Sequence, residues 1–245
     1  MPSDSQYYFP DVDTALAEPN GLLAQGGDLE PGRLLFAYRH GIFPWYSEGE
    51  PILWWSPDPR AVLLPSAFKV HRSFRKVLHN TSYRVSLNLD FKGVIEGCSH
   101  PRSGQTGTWL TREMKLAYLR LHHLGHAHSV ETWLEDRLVG GLYGIKIGQI
   151  FFGESMFSHI TNASKVALAY LVALLLQWQF QLIDCQQDTP HLTRLGAIQM
   201  PRDQFVAVLT KATRRDAVEE DWSARTLASS VIAPLLAAQS AKNSG

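Results

Sequence analysis

The sequence predicts an α+β fold, and features of its second half carry this prediction. Residues 128–155 indicate three consecutive strands, because tight turns at Glu135–Asp136 and Lys146–Gly148 separate runs rich in β-branched and aromatic residues. Such short turns join antiparallel strands, so we expect a mainly antiparallel sheet. A helix is predicted over 162–178 in a long apolar stretch, which the strand "LIDCQ" closes.

The first 60 residues have a different composition, rich in glycine, proline and aromatic residues. A short helix in "PGRLLFAYRHG" precedes the aromatic loop "IFPWYSEGEPILWWSPDPR". Pro57 and Pro59 predict a boundary near residue 60. We therefore expect three parts: a small N-terminal α/β domain over 1–60, a larger domain over 61–228, and a mobile tail over 229–245.

Between the boundary and the strands, the hydrophobic pattern predicts alternating helices and one strand. The strand "YRVSLNLD" places Tyr83, Val85, Leu87 and Leu89 on one face. The predicted helices lie in "PSAFKVHRSFRKVLHN", over 91–98, over 111–124 and in "PRDQFVAVLTKA".

Composition excludes several classes of protein. A chain of 245 residues with 45% hydrophobic and 19% charged residues is typical of globular proteins and not of disordered ones. Its longest apolar run, Val166–Leu176, is shorter than the roughly 20 residues of a membrane-spanning helix. The N-terminus lacks the basic and apolar regions of a secretory signal, and two cysteines are too few for a disulfide scaffold. We expect a cytoplasmic protein without a membrane partner.

Charge is distributed unevenly along a chain whose net charge is zero. Residues 1–60 carry a net charge of −6, whereas residues 61–130 carry +7. Lys69, Arg72 and Lys76 recur at helical spacing within the basic segment. This pattern favours contacts with the phosphates of a polyanion, and the alternative is an ordinary solvated helix face.

Asp184 and Gln186 are unusual because they follow an apolar run at the end of a strand that should be buried. Side chains alternate along a strand, so the two should share one face, with Cys185 turned away from it. We interpret the pair as an acid–base site, and the alternative is a polar strand end.

Other motifs give weaker signals. "GESMF" lacks the last glycine of a nucleophile elbow, so Ser155 is a poor candidate nucleophile. His122 and His126 could form a metal pair, but no cysteine or carboxylate cluster lies near them in the sequence, and we predict no metal. The tryptophans in the proline-rich loop could form a small core or stack on nucleobases.

The order of antiparallel strands, helix and final strand resembles the fold of the N-acetyltransferase superfamily. Members that use coenzyme A bind its pyrophosphate at a turn of the form R-x-x-G-x-G or R-x-x-G-x-A, which opens the central helix. The corresponding stretch, "FSHITNASKVAL", contains neither glycine nor arginine. This difference argues against a coenzyme A site and favours another acyl carrier.

A more specific resemblance extends from about residue 9 to about residue 225. The stretches that carry it are "EPNGLLAQGGDLEPGRLLFAYRHGIFPWYSEGEPILWWSPDPRAVL", "GTWLT", "GHAHSVETW", "LVGGLYG", "FFGESMFS", "NASKVAL" and "LIDCQ". Together and in this order they resemble the leucyl/phenylalanyl-tRNA–protein transferase family. The resemblance implies a small N-terminal domain packed on an N-acetyltransferase-like (GNAT-like) domain, as the chain pattern also predicts.

The resemblance also implies an activity and its partners. Such an enzyme transfers leucine or phenylalanine from leucyl-tRNA or phenylalanyl-tRNA to proteins with N-terminal arginine or lysine, which marks them for degradation by the N-end rule. Aminoacyl-tRNA is already an activated ester, so we expect no cofactor. We expect a monomer, and the alternatives are a coenzyme A-dependent N-acyltransferase and a non-catalytic tRNA- or peptide-binding module.

Residue roles follow from the resemblance. Asp184 and Gln186 match the catalytic pair, in which Asp184 would orient and polarise Gln186. The matching substrate-binding positions are Glu154 for an amine, Trp45, Trp109, Tyr38 and Tyr118 around the terminal adenosine, and Phe151, Met156, Ser158 and Ile183 in the acyl pocket. The basic segment would bind tRNA through Lys69, Arg72, Arg75 and Lys76.

Overall fold

A computed structural model of the chain describes residues 7–80, 82–100, 110–215, 220–228, 232 and 236. Trp109 lies outside these described residues. So does the predicted tail over 229–245, apart from Ile232 and Leu236. Within the described residues the chain forms two β-sheets and seven α-helices.

The smaller sheet belongs to the N-terminal part. Its antiparallel strands are β1 (Leu22–Gln25), β2 (Phe43–Pro44) and β3 (Leu53–Trp55), with β3 in the centre. Helix α1 (Pro31–Arg39) begins at a proline, whose fixed φ suits the first turn of a helix, and contacts β2. The domain boundary at residue 60 stays a prediction.

The larger sheet has eight strands among the described residues. They are β4 (Arg60–Leu63), β5 (Tyr83–Leu87), β6 (Ala127–Leu134), β7 (Arg137–Ile147), β8 (Ile150–Ser158), β9 (Leu182–Gln186), β10 (Ile198–Met200) and β11 (Arg225–Ala228). Their order across the sheet is β10-β4-β9-β8-β7-β6-β5-β11. The pair β8–β9 is parallel, and the other neighbouring pairs are antiparallel. The predicted α+β fold with a mainly antiparallel sheet is confirmed.

The other helices connect and cover these strands. They are α2 (Arg72–Asn80), α3 (Phe91–Ser99), α4 (Arg112–His123), α5 (Ala163–Gln177), α6 (Pro190–Arg194) and α7 (Arg202–Ala212). Local capping defines two of the starts: Asp90 accepts a hydrogen bond from the N–H of Gly93 before α3, and Thr111 accepts one from the N–H of Met114 before α4. No helix in the described part of the chain is long and apolar enough to cross a membrane.

The predicted strand turns are confirmed. Glu135 turns the chain between β6 and β7 with φ 54°, and Gly148 turns it between β7 and β8 with φ 55°. The expectation that Leu89 continues the buried face of β5 is wrong. The chain leaves the strand at Asn88, whose φ is 54°, and Leu89 is 54% exposed.

Helix α5 is apolar on nearly every side because it is buried on nearly every side. It packs across the sheet against β6, β7 and β8. Gly140 in β7 permits this close approach, since a Cβ atom there would lie 2.5 Å from the Cβ of Ala163.

The two faces of the large sheet pack against different layers. On one face, Tyr143 and Ile145 of β7 join a core that includes residues of α1, α3, α4 and α7. On the other face, Val139 and Leu142 of β7 join a core built on α2 and α5. Each face of the central strands is therefore covered.

The parallel strands β8 and β9 separate part of the way along their length. They pair over Ile150–Phe152 and Leu182–Asp184. Beyond Phe152, β8 continues beside β7, and beyond Asp184, β9 continues beside β4. This divergence opens the sheet between its two faces.

Candidate active site

A cavity of about 800 Å³ lies where β8 and β9 separate. Its walls include Glu154 and Ser155 of β8 and Gln186 of β9. Because the opening passes between two strands, residues from both layers of the protein reach it. Cys98 comes from the side of α3, and Leu168 comes from α5.

One end of the cavity is apolar. The predicted pocket residues Phe151, Met156 and Ile183 line it, together with Leu63, Leu142, Leu168, Leu171 and Leu192. Ser158, also predicted, lies in the same wall, where its hydroxyl accepts a hydrogen bond from the N–H of Ser164. This end suits an aliphatic or aromatic group of moderate size.

Glu154 enters the cavity wall through a β-bulge. Tyr143 is opposite Ser155 and Gly144 is opposite Gly153, so Glu154 between them has no partner on β7. A bulge bends a strand and redirects a side chain, and bulges are common beside active sites. Here the bulge lies directly after the point where β8 leaves β9.

The Glu154 carboxylate accepts three hydrogen bonds. The Tyr118 hydroxyl donates to Oε2 at 2.6 Å, and the Tyr38 hydroxyl donates to Oε1 at 2.7 Å. The side-chain amide of Gln186 also donates to Oε1, at 2.8 Å. This last contact bridges the gap between the diverging strands and joins two predicted site residues directly.

Burial raises the pKa of Glu154 to about 7, and the negative charge of Asp184 contributes in the same direction. The hydrogen bonds from Tyr118, Tyr38 and Gln186 oppose this shift because they stabilise the carboxylate. Near neutral pH, both the protonated and the ionised form of Glu154 are therefore populated, whereas an ordinary surface glutamate is fully ionised.

Tyr38 and Tyr118 lie in the core beside Glu154. Both are 0% exposed, and their hydroxyl groups lie 2.9 Å apart above the Glu154 carboxylate. Burial raises the pKa of each tyrosine well above its usual value, so both stay neutral donors. Their polar atoms are turned towards Glu154 within the core, and their predicted place near the terminal adenosine stays a prediction.

Asp184 forms a buried ion pair with Arg60. Nε and one Nη of the guanidinium lie 2.8 Å from the two carboxylate oxygens, which is a bidentate geometry. Asp184 is 0% exposed and Arg60 is 1% exposed. The guanidinium also lies over the rings of Phe43 and Phe205, at 4.7 and 4.9 Å from their centroids.

A second bulge, in β9, changes the direction of Gln186. Val62 is opposite Asp184 and Ala61 is opposite Gln186, which leaves Cys185 without a partner on β4. Gln186 has φ 63°, in the left-handed region, and its N–H donates to Oδ1 of Asp184 at 2.9 Å. The extra residue breaks the simple alternation of side chains.

The predicted arrangement of this strand is therefore wrong in two respects. Cys185 and Gln186 both line the cavity, whereas Asp184 points into the core on the other side. Asp184 contacts the backbone N–H of Gln186 and not its side-chain amide. Burial, followed by the charge of Asp184, raises the pKa of the Cys185 thiol well above its usual value, so this cysteine is a neutral wall residue.

Arg60 is the site residue that the sequence reasoning missed. The available signal was Asp184 itself. A carboxylate at a buried strand end needs a cationic partner, and the neighbouring sequence contains none. Arg60 also begins the four-residue strand β4, all of whose residues are buried. The two partners are separated by 124 positions in the chain, so only the strand pairing brings them together.

Trp45 lies at the rim of the cavity and is 40% exposed. Trp55 contacts Trp45 in two ways. The two rings pack edge to face with centroids 5.5 Å apart, and the Trp55 indole N–H donates to the Trp45 carbonyl at 2.7 Å. An exposed, supported indole can stack on a planar group. Trp109, its predicted partner, lies outside the described residues.

The predicted tRNA-binding residues of the basic segment lie on α2 or just before it, beside the cavity. Arg72, Arg75 and Lys76 are exposed on α2, whereas Phe74 and Leu78 of the same helix are buried. Lys69 is also exposed, but it precedes the helix, so the expectation of a continuous helical row from Lys69 is wrong.

Two hydrogen bonds connect this segment to the cavity wall. The N–H of Lys69 donates to the carbonyl of Leu195, and a ring nitrogen of His71 lies 3.0 Å from the carbonyl oxygen of Arg194. The adjacent helix α6 contributes His191 and Leu192 to the cavity. A long polyanion bound along α2 would therefore reach the rim of the cavity.

Comparison with known proteins gives the same family as the sequence motifs. The profile described as "Leucyl/phenylalanyl-tRNA protein transferase" matches residues 62–210. The profile described as the N-terminal domain of the same protein matches residues 27–58.

Individual relatives agree. The chain is 56% identical over 220 residues to a leucyl/phenylalanyl-tRNA–protein transferase of Azoarcus sp. (strain BH72), covering 90% of this chain and 94% of that one. It is 55% identical over 217 residues to the one of Pseudomonas syringae pv. syringae (strain B728a), covering 89% and 94%. The predicted resemblance is confirmed, and the chain belongs to the leucyl/phenylalanyl-tRNA–protein transferase family.

Proposed function

We propose that this protein transfers a leucyl or phenylalanyl group from aminoacyl-tRNA to the N-terminal arginine or lysine of an acceptor protein. The observation that carries the proposal is the 2.8 Å hydrogen bond between Gln186 and Glu154 beside an apolar cavity. A titratable carboxylate and an amide thus lie where an apolar acyl group can be bound. Membership of the family supports the reaction type.

The apolar end of the cavity is the proposed pocket for the donor side chain. Phe151, Met156 and Ile183 form walls that suit both a branched aliphatic and an aromatic group, and the flexible methionine adapts to either. Trp45 at the rim is the proposed stacking platform for the terminal adenosine, with Trp109 as its partner.

The chemistry at the carbonyl requires a neutral amine and a stabilised oxyanion. The attacking nitrogen forms a bond to the ester carbon, the bond from that carbon to the ribose oxygen breaks, and the proton released by the nitrogen is balanced by one taken up at the ribose oxygen. A free α-amino group has a pKa of about 7.7–8.0. A carboxylate whose pKa is about 7 is well matched to hold or receive its proton.

We therefore propose that Glu154 binds the attacking α-amino group and that Gln186 positions the reacting groups. A side-chain amide is a very poor base, so the contribution of Gln186 is hydrogen bonding to the reacting groups. Asp184 acts through the Gln186 backbone and does not reach the cavity. The reaction needs no cofactor, because the ester is already activated.

The exposed basic residues Lys69, Arg72, Arg75 and Lys76 are the proposed tRNA contacts. Their place next to α6 and the cavity rim lets an acceptor stem lie on α2 while its 3′ end enters the cavity. We further propose that the protein works in the cytoplasm as a monomer. The coenzyme A alternative remains disfavoured, because α5 opens after Asn162 without a glycine-rich turn.

The first prediction concerns the amine partner. Glu154→Gln removes the charge but keeps the size of the side chain, so transfer of labelled leucine from leucyl-tRNA to a peptide beginning with arginine should fall about a hundredfold or more. The same peptide with an acetylated N-terminus is the control and should accept nothing in either protein. Wild-type transfer to the acetylated peptide, or an unchanged rate in Glu154→Gln, would contradict the assignment.

The second prediction concerns pH. The Tyr118 hydroxyl lowers the pKa of Glu154, so Tyr118→Phe should raise that pKa further above its ordinary value. If the ionised carboxylate is the active form, the rise of the transfer rate with pH should move to higher pH in the variant. The rate is measured across the neutral range, on both sides of the wild-type pKa, with one acceptor peptide. The ionisation of the acceptor amine is then the same in both proteins.

Tyr170→Phe is the matched control for this experiment. It removes the hydroxyl of another buried tyrosine, one that has no hydrogen-bond partner among the described residues and does not line the cavity. Its pH profile should coincide with that of the wild type. A Tyr118→Phe profile that also coincides, or moves to lower pH, would show that Glu154 does not govern the rate.

The third prediction concerns tRNA. Replacing Lys69, Arg72 and Lys76 together by alanine should weaken tRNA binding and reduce the slope of log affinity against log salt by about 0.7–0.9 for each phosphate that is no longer neutralised. Transfer from a minimal aminoacyl-adenosine donor should stay near the wild-type rate. The control triple variant at Lys92, Arg137 and Lys211 has the same change in net charge and should bind tRNA normally. Equal effects in the two triple variants would show that Lys69, Arg72 and Lys76 form an ordinary solvated surface and not a specific tRNA contact.

A further inference from the structure

Arg60 is a buried charge that lies behind the site and does not line the cavity. It is 1% exposed, and its partner Asp184 is 0% exposed. Removing two charges from water is expensive, and an apolar pair of similar size would often give a fold that is equally stable or more stable. The presence of this pair beside the site therefore calls for a reason other than stability.

The geometry restricts the orientation of the guanidinium almost completely. Two of its nitrogens bind the two oxygens of Asp184 at 2.8 Å. The rings of Phe43 in the small sheet and Phe205 in α7 both pack against it. The third nitrogen, Nη1, is buried without a hydrogen-bond partner among the described residues. The carboxylate of Asp184 is consequently held in one position.

That position determines the backbone of Gln186. Oδ1 of Asp184 accepts from Nε of Arg60 and also from the N–H of Gln186, at 2.9 Å. Gln186 is a non-glycine residue with φ 63°, a strained conformation that needs support from its surroundings. The hydrogen bond from its own N–H supplies this support, and the side chain then extends to Oε1 of Glu154.

A chain of interactions therefore runs from Phe43 and Phe205 through Arg60 and Asp184 to Gln186, and then to Glu154. Each step is a hydrogen bond of 2.9 Å or less, or a packed aromatic face. Without the two hydrogen bonds from Arg60, the Asp184 carboxylate could rotate. The Gln186 N–H would then lose the acceptor that supports its left-handed backbone.

We propose that Arg60 is a positioning residue for aminoacyl transfer, acting through the Asp184 carboxylate on the backbone, and so on the side chain, of Gln186. The proposal rests on the proposed function, because Gln186 and Glu154 are taken as the groups that meet the substrate. Lysine cannot replace arginine here, since a single ammonium lacks both the bidentate fork and the flat faces that stack on rings.

The test compares Arg60→Lys with Val85→Ala, a core variant in β5 at the far end of the sheet whose side chain is 0% exposed. Denaturant unfolding shows whether the two variants lose comparable stability. Steady-state transfer from leucyl-tRNA, which gives kcat and the donor KM, and amide hydrogen exchange at Gln186 are then measured for both.

We expect Arg60→Lys to lower kcat about thirtyfold or more, to leave the donor KM within about threefold, and to speed exchange of the Gln186 N–H. Val85→Ala should keep both the rate and the protection of that N–H. An unchanged rate and unchanged exchange in Arg60→Lys would overturn the proposal, and so would equal losses of kcat in the two variants.

A second variant covers the case in which Arg60→Lys does not fold. Arg60→Met combined with Asp184→Leu removes both charges together, so no unpaired charge stays buried. It should fold and transfer at least thirtyfold more slowly than the wild type, and a wild-type rate would overturn the proposal. Absence of transfer by the wild type itself would instead refute the proposed function, while the exchange experiment would still decide whether Arg60 positions Gln186.

Discussion

The ion pair between Arg60 and Asp184 connects the parts of the protein that form the site. Phe43 of the small sheet and Phe205 of α7 cover the guanidinium, while the carboxylate belongs to the central strand β9. A buried charge is very costly without an oppositely charged partner, so these elements have to keep one relative position for the pair to exist. The N-terminal part thereby contributes to the geometry of the candidate site without lining most of the cavity.

Two β-bulges place the side chains of the candidate active site. One redirects Glu154 of β8, and the other, at Cys185, redirects Gln186 of β9. Both occur just beyond the last residues where the parallel strands pair, so the redirected side chains meet across the gap at 2.8 Å. The cavity opens at the same gap, and apolar side chains form part of its wall. Burial then raises the pKa of Glu154 into the range where an amine can exchange protons with it.

Periodicity predicted the elements whose structure depends on local pattern. Helix α5 follows from an apolar run with a single environment on all sides, and the β6–β7–β8 turns follow from the short polar or glycine-containing breaks between strand-like runs. The bulges are different, because a single extra residue in a strand leaves no mark in the alternation of so short a segment as "LIDCQ". For that reason alternation predicts one face for Asp184 and Gln186, whereas the structure places Gln186 with Cys185 at the cavity. The roles of Arg60, Tyr38 and Tyr118 depend on contacts across 36 to 124 positions, and no local pattern encodes them.

In the proposed function, the charge of Asp184 acts at a distance from the substrate, by fixing Gln186 against Glu154. Single-turnover leucyl transfer by Asp184→Asn tests this central claim most directly, with leucyl-tRNA bound at saturation and a peptide beginning with arginine as acceptor. The variant keeps the shape of the side chain but weakens its hold on Arg60 and on the Gln186 N–H. We predict normal tRNA binding and a transfer rate lower by about a hundredfold or more. A folded Asp184→Asn protein that transfers leucine at the wild-type rate would contradict the claim.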